Sequence, residues 1–408
     1  MCYYYLVAAI NFKIEKKIPN ALGKAGLLET SHGVIQTPAF VTVGTKATVK
    51  ALTPEQVVAT GSQVVLANTY HLYLQPGEKI VKEAGGLGKF MNWPGPTMTD
   101  SGGFQAFSLG VAYGGKFSKF IAADSPLPEE VIEAYDENKE KKAKITEEGV
   151  EFRSIINGST HFFSPEKSIQ IQRDLGADII FAFDECTSPH APENYLREAM
   201  ERTHRWAERC LAEKNQRFPL LSGIAKGIFD FSPALFGIVQ GGRSEKLRKE
   251  SAKVIGNMDF EGFGVGGSFV KEDMATTVRW VNEILPEEKP RHLLGVGEPI
   301  DLFLGVENGC DTFDCVAATR MARNGMLYTR TGKINITNAK YREDFTPFLA
   351  NYTYAYLHHL FHAKEMLAAT LATMHNLTFI NGLMSEIRQS ILDGKFFELK
   401  EEFLNVYK

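Results

Sequence analysis

Short apolar runs, each closed by glycine or a polar residue, recur at Ala39–Val43, Val64–Ala67, Thr97–Thr99, Ile179–Phe183, Leu235–Val239, Phe263–Val265, His292–Leu294 and Thr312–Phe313. Most are apolar at successive positions rather than alternating, the mark of strands covered on both faces in a parallel sheet. The residues that close them are Gly44, Asn68, Asp100, Asp184, Gln240, Gly266-Gly267, Gly295-Val296-Gly297 and Asp314.

Helical patterns fill most of the intervals. Thr53-Pro54-Glu55-Gln56 joins an N-cap to proline at the first helical position and glutamine at the third. Ser164-Pro165 opens a second helix that Gly176 closes, and amphipathic helices are predicted over Asn194–Lys214, Ser244–Ile255 and Glu272–Leu285. Eight strands alternating with helices predict an α/β fold, a (β/α)8 TIM barrel, with an open doubly wound sheet as the alternative. In a barrel the polar strand-end residues would share one face, where the chemistry of this fold resides.

Three segments depart from that rhythm. Glu151–Phe163 reads as a β-hairpin turning on Asn157-Gly158 as a type I′ turn. Residues 114–148, with Ser125-Pro126-Leu127-Pro128 and the charged run 136–142, read as a solvated insertion near the mouth of the site. Met1–Ile10 is apolar, lacks a basic flank and is too short to span a bilayer, so it reads as a first strand or a frayed end.

Composition narrows the function classes. With 408 residues and 44% hydrophobic content, the chain has material for one large domain over 1–408. Its expected parts are an N-terminal β extension, a barrel over about 38–330 and a C-terminal helical segment over about 352–408. A formal net charge of −4 excludes nucleic-acid binding by overall positive charge, so any such partner must meet a local basic patch. The five cysteines, Cys2, Cys186, Cys210, Cys310 and Cys315, show no disulfide framework, which suits a reducing cytoplasm. No membrane association is expected.

Two carboxylates carry the candidate chemistry. Asp100 lies in Thr99-Asp100-Ser101-Gly102-Gly103-Phe104-Gln105 and Asp314 in Thr312-Phe313-Asp314-Cys315-Val316. Acids at two strand ends suit displacement at a sugar carbon, one attacking or stabilising the carbon while the other moves a proton. The alternative is a pair of aspartates that cap the following turns.

Read together, these segments resemble the tRNA-guanine transglycosylases, which replace guanine at the wobble position of certain tRNAs with a 7-deazaguanine. The resemblance runs from about Phe12 to the C-terminus. It rests on Leu66-Ala67-Asn68-Thr69-Tyr70-His71-Leu72, the two aspartate segments, Phe183-Asp184-Glu185-Cys186-Thr187, Val239-Gln240-Gly241-Gly242 and Gly295-Val296-Gly297. Thr319-Arg320, Ala322-Arg323-Asn324-Gly325, Ile336–Tyr341 and Ala355–Leu360 extend it.

The resemblance implies specific roles. Asp314 would be the nucleophile at C1′ of the target nucleotide, forming a covalent RNA–enzyme ester, and Asp100 the general acid/base. Ser101, Gly102, Gly103, Phe104, Asp184, Gln240, Gly267 and Leu294 would bind the base, with Phe104 and Leu294 sandwiching the ring. Gly295, Val296, Gly297, Glu298, Pro299, Ile300, Asp301, Thr319, Arg320, Met321, Ala322 and Arg323 would meet the RNA. The implied partners are the tRNA anticodon loop, guanine, the preQ1 precursor of queuosine and a second copy in a homodimer.

Two departures stand out. Many relatives carry Leu after the glycine pair, where this chain has Ser268. The family also carries a zinc site of the form Cys-x-Cys-x-x-Cys with a histidine in the Tyr-Leu-His-His helix. No cysteine follows Cys315 here, although His358 and His359 remain. A closed structural zinc needs four ligands, so no zinc or other cofactor is expected. Two rival functions share the fold: a non-catalytic RNA-binding subunit of an active paralogue, and a transglycosylase acting on DNA. A plain glycoside hydrolase fits less well, because the Asp184, Gln240 and glycine-pair set suits a flat purine.

Overall fold

A computed structural model describes residues 9–105, 120–121, 143–188, 191–216, 232–267 and 269–408. Eight parallel strands close a barrel in sequential order: β1 (Ala39–Val43), β2 (Val65–Ala67), β3 (Thr97–Thr99), β4 (Ile179–Phe181), β5 (Ala234–Val239), β6 (Gly262–Val265), β7 (Arg291–Leu293) and β8 (Thr312–Asp314). β8 returns to β1 with Asp314 opposite Val41. The closed (β/α)8 barrel replaces the open-sheet alternative.

The double-sided apolarity of the strands now has its cause. Val41, Leu66, Met98, Ile179, Phe181, Phe236 and Ile238 fill the barrel interior. Their neighbours Phe40, Val65, Ile180, Leu235 and Val239 belong to the layer between strands and helices. Both faces are therefore removed from water, as a barrel requires.

Helix starts follow their local signals. Thr53 and Gln56 form a reciprocal capping box at helix Pro54–Ala59. Ser164 caps helix Pro165–Leu175, which Gly176 ends in the left-handed region, and Ser244 caps Glu245–Gly256. The predicted Glu272–Leu285 helix is shorter, a 3-10 turn at Lys271–Asp273 followed by Met274–Asn282.

An antiparallel sheet of Asn11–Lys17, Lys24–Thr30 and Gly33–Thr37 precedes the barrel. The predicted hairpin also exists, with Val150–Arg153 paired to Thr160–Phe163 and joined by a third strand, Ala143–Ile145. Its turn corrects the type I′ expectation. Thr160 pairs with Arg153, leaving residues 154–159 between them. A type I′ turn needs positive φ at both central residues, yet of Asn157 and Gly158 only the glycine has it, at 74°. The Asn157 side chain instead accepts hydrogen bonds from the Ser159 amide and hydroxyl, favouring a wider loop.

Of the expected insertion over 114–148, all but 120–121 and 143–148 lies outside the described residues, as does Ser268. Residues 1–8 of the apolar N-terminus lie outside them too. Among the described residues no helix is long and apolar enough to cross a membrane.

The C-terminal segment comprises helices Tyr354–Ala363, Met366–Asp393 and Phe396–Val406. Buried Asn376 of the long helix accepts from the Tyr328 amide and donates to the Ala318 and Met326 carbonyls. That side chain ties the helix following β8, Ala317–Arg323, to the C-terminal segment. It thereby anchors the backbone just behind Asp314.

Candidate active site

Asp100, Asp184, Gln240, Gly266-Gly267, Leu294-Gly295 and Asp314 all sit at or just beyond the C-terminal ends of barrel strands. Barrel closure converts six sequence-distant positions into one rim. Asp311 provides the contrast at the other end of β8. It is fully buried, pairs with Lys24 at 3.1 Å and accepts from the Arg291 amide, so it ties strand starts together away from the site.

A cavity of about 620 Å³ opens at this rim, and Asp100, Asp184 and Asp314 line it together. Ser101, Gly102, Phe104, Gly267, Leu294, Gly295, Gly297, Glu298, Asp301, Arg320 and Met321 share its wall. The volume accommodates a purine nucleotide unit.

Asp100 is held from the β2 side. The Thr69 amide donates to its Oδ1 at 2.9 Å and the Asn68 side chain donates to Oδ2. The two donors fix the orientation of the carboxyl group at the rim. Asn68 also caps helix Thr69–Leu74, so one residue orders both the helix and the acid. Nearby His71 lines the cavity; burial, with Lys46 and Lys50, holds its pKa below the usual imidazole value.

Asp184 and Gln240 form the polar edge. Gln240 Nε2 donates to Asp184 Oδ2 at 2.6 Å, and Ser101 Oγ donates to Oδ1 at 3.2 Å. Gln240 Oε1 is buried with no partner among the described residues. A carboxylate beside an amide suits the donor and acceptor edge of guanine.

Gly267 is at φ 102°, and a Cβ there would come within 2.6 Å of Arg248 Nη2 and 3.1 Å of Gln240 Oε1. Only glycine allows the backbone this close to the pocket. Arg248 lies behind it, donating to the Gly242, Val239 and Gly266 carbonyls; burial lowers its pKa to about 10.

The strand ends are locked from outside. Gln172, fully buried, accepts from Thr99 Oγ1 and the Phe181 amide and donates to the Phe181 carbonyl, joining β3 to β4. Asp314 accepts on Oδ1 from the Gly295 amide at 2.8 Å and from His292 Nε2 at 3.0 Å.

The RNA-facing positions divide. Val296, Pro299, Thr319 and Ala322 are buried, and Ala322 packs with Leu327, Ile336 and Leu357. Buried Asp301, with Glu298, Arg320 and Met321, stands on the cavity wall. Arg323 is half-buried, and burial together with Arg320 lowers its pKa. Gly103 is buried beside the wall and Ile300 packs against the core.

Sequence reasoning missed His71, Lys333, Cys186 and Cys315, all of which line the cavity. Lys333 lies on a hairpin with no motif of its own, and its partner is Glu298 at 2.6 Å. Asn68 was legible as a strand-end polar residue.

The C-terminal lobe does not fit a structural zinc. Where cysteines would stand, Pro347–Leu349 pairs with Tyr352–Thr353 in a short hairpin. Phe348 stacks on Tyr354 at 5.4 Å. The histidine facing this hairpin is His375 of the long helix, within hydrogen-bond distance of the Phe348 and Tyr328 carbonyls at 3.1 and 2.8 Å. His358 instead meets the Ile336 carbonyl at 2.9 Å. No three His, Cys, Asp or Glu side chains gather as a metal site among the described residues.

Comparisons with known proteins show the family. A family model described as TGT: Queuine tRNA-ribosyltransferase matches residues 20–408. The queuine tRNA-ribosyltransferase of Desulforamulus reducens is 46% identical over 409 residues, covering 98% of this chain and 99% of its own. That of Caldanaerobacter subterraneus subsp. tengcongensis is 46% identical over 413 residues, covering 98% of each. A putative queuine tRNA-ribosyltransferase of Archaeoglobus fulgidus is 45% identical over 417 residues, covering 97% of this chain and 99% of its own.

Proposed function

Because the chain belongs to the queuine tRNA-ribosyltransferase family, we propose that it is a pentosyltransferase exchanging guanine at the wobble position of tRNA for a 7-deazaguanine, with preQ1 as the incoming base. Asp314 attacks C1′ of the ribose, the C1′–N9 bond to guanine breaks, and a carboxylate–ribose ester forms. Asp100 delivers a proton to the departing guanine. It then removes one from the incoming base, whose nitrogen displaces Asp314 and restores the free enzyme.

The observation that supports this reading is the shared cavity: two carboxylates from β3 and β8 face the same space as the Asp184–Gln240 edge. Asp184 accepts from the N–H groups of guanine, while Phe104 and Leu294 cover the faces of the ring. Arg320 at the rim supplies local positive charge that a net charge of −4 otherwise denies an RNA. A homodimer goes with this reading, and the exposed Tyr352, Tyr356 and Met366 of the C-terminal lobe provide apolar surface for it. A cytoplasmic location does too, in keeping with the free thiols of buried Cys210 and Cys310.

The test is radiolabelled guanine exchange into bulk tRNA. Incorporation into tRNA but not duplex DNA is expected. No incorporation by the folded protein overturns the proposal in favour of a non-catalytic subunit, and incorporation into DNA overturns the choice of polymer.

The lobe is proposed to be metal-free, held by the Phe348–Tyr354 stack and the His375 contacts. Elemental analysis of purified protein should find well under one zinc per chain, and EDTA should leave the melting temperature unchanged. Stoichiometric zinc, removable with loss of stability, would overturn this.

A further inference from the structure

We propose that His292 is a positioning residue for the nucleophile, a role that rests on the Asp314 reading above. His292 occupies the middle of β7 and is fully buried, outside the cavity wall. Alternation along the strand turns it into the barrel, because its neighbour Leu293 belongs to the outer layer. Both ring nitrogens are engaged: Nδ1 lies 2.9 Å from Thr312 Oγ1, and Nε2 lies 3.0 Å from Asp314 Oδ1.

The partners set the tautomer. An ionised carboxylate only accepts, so Nε2 carries the hydrogen and donates it to Asp314. Nδ1 then accepts from the Thr312 hydroxyl. Thr312 and Asp314 are two apart on β8 and point to the same side, so the imidazole spans two interior positions of the neighbouring strand. On another side the ring of Phe181, itself on the cavity wall, lies 5.1 Å from the imidazole centroid.

A polar side chain at the centre of a barrel strand needs a reason, since burial of an imidazole is costly unless both nitrogens are matched. Here the matching partner is the reactive carboxylate. With the Gly295 amide donating to the same oxygen at 2.8 Å, two donors from β7 and its following turn fix the plane of the carboxylate. Held by both donors, Asp314 meets C1′ already aligned. Because the imidazole lies beneath the cavity, substrates never touch it.

The test compares three variants of the full-length protein in guanine exchange, with adduct formation by Asp314→Asn measured in parallel. His292→Phe removes both polar contacts. His292→Asn keeps an amide near Thr312 but is too short to reach Asp314, whereas His292→Gln extends an Nε2 donor to it. Phe and Asn are expected to lower kcat by roughly 10- to 100-fold, the effect of losing one hydrogen bond to a charged group. KM for tRNA and guanine should stay within about twofold, and Gln should recover most of kcat. Wild-type kcat in the Asn variant, or a rise in KM at constant kcat, overturns the inference. So does equal impairment of Asn and Gln. Should Phe fail to fold, the Asn–Gln pair still decides. Adduct formation by Asp314→Asn would instead overturn the nucleophile reading, and loss of that adduct with normal His292→Asn turnover overturns the positioning role alone.

Discussion

Asp314→Asn abolishes the covalent RNA adduct while leaving the fold intact. The substitution is nearly isosteric, and the amide oxygen can still accept from the Gly295 amide and His292 Nε2 that now hold Oδ1. What disappears is the negative charge that makes the carboxylate oxygen nucleophilic toward C1′. No neighbouring group stands ready to replace it in the same geometry, since Asp100 is fixed from the opposite side by Asn68 and Thr69. Guanine exchange should fall by on the order of 10⁴-fold or more, the scale seen when a covalent nucleophile is removed. A denaturing gel of enzyme incubated with tRNA reads the result directly, as a slower-migrating species in wild type that the variant lacks. A normal amount of that species in the variant would transfer the nucleophilic role elsewhere.

Much of this arrangement was legible in the chain, for a physical reason. Strands of a closed barrel are dry on both faces, so their runs of apolar residues are dense and end abruptly where polar groups reach the rim. Asp100, Asp184, Gln240 and Asp314 were visible as those abrupt ends. Caps at Thr53 and Ser164 were visible because they depend on neighbours within one turn. The failures share the opposite property. The turn at Asn157-Gly158 obeys a register set by Thr160 facing Arg153 and not the dipeptide alone. His292 looked like part of an apolar strand, because nothing local shows that Thr312 and Asp314 lie beside it. His375 is twenty-seven positions from the hairpin residue it meets, and a histidine within a long helix carries no sign of that contact.

Asp100→Asn should slow exchange by about 10²- to 10⁴-fold without abolishing the adduct, the range expected for loss of general acid/base catalysis. The two aspartates are thereby separated by experiment. Asp314 forms the bond, so its loss removes the intermediate. Asp100 moves protons, so its loss raises both barriers yet leaves the nucleophile in place. The site of substitution is favourable for a clean result. Oδ1 receives the Thr69 amide at 2.9 Å, and asparagine oxygen can accept the same bond. Oδ2 receives the Asn68 amide, and there an asparagine NH₂ would oppose a donor with a donor. Some loosening of the Asn68 side chain is therefore expected, and with it of the cap it provides to the His71 amide at 3.0 Å. Asp100→Asn paired with Asn68→Asp restores the donor–acceptor match while leaving residue 100 neutral. If the proton-transfer role is correct, the double variant regains stability but not turnover. Recovery of turnover in the double variant would reduce Asp100 to a partner of Asn68 in holding the strand end, and leave Asp314 as the sole reacting carboxylate.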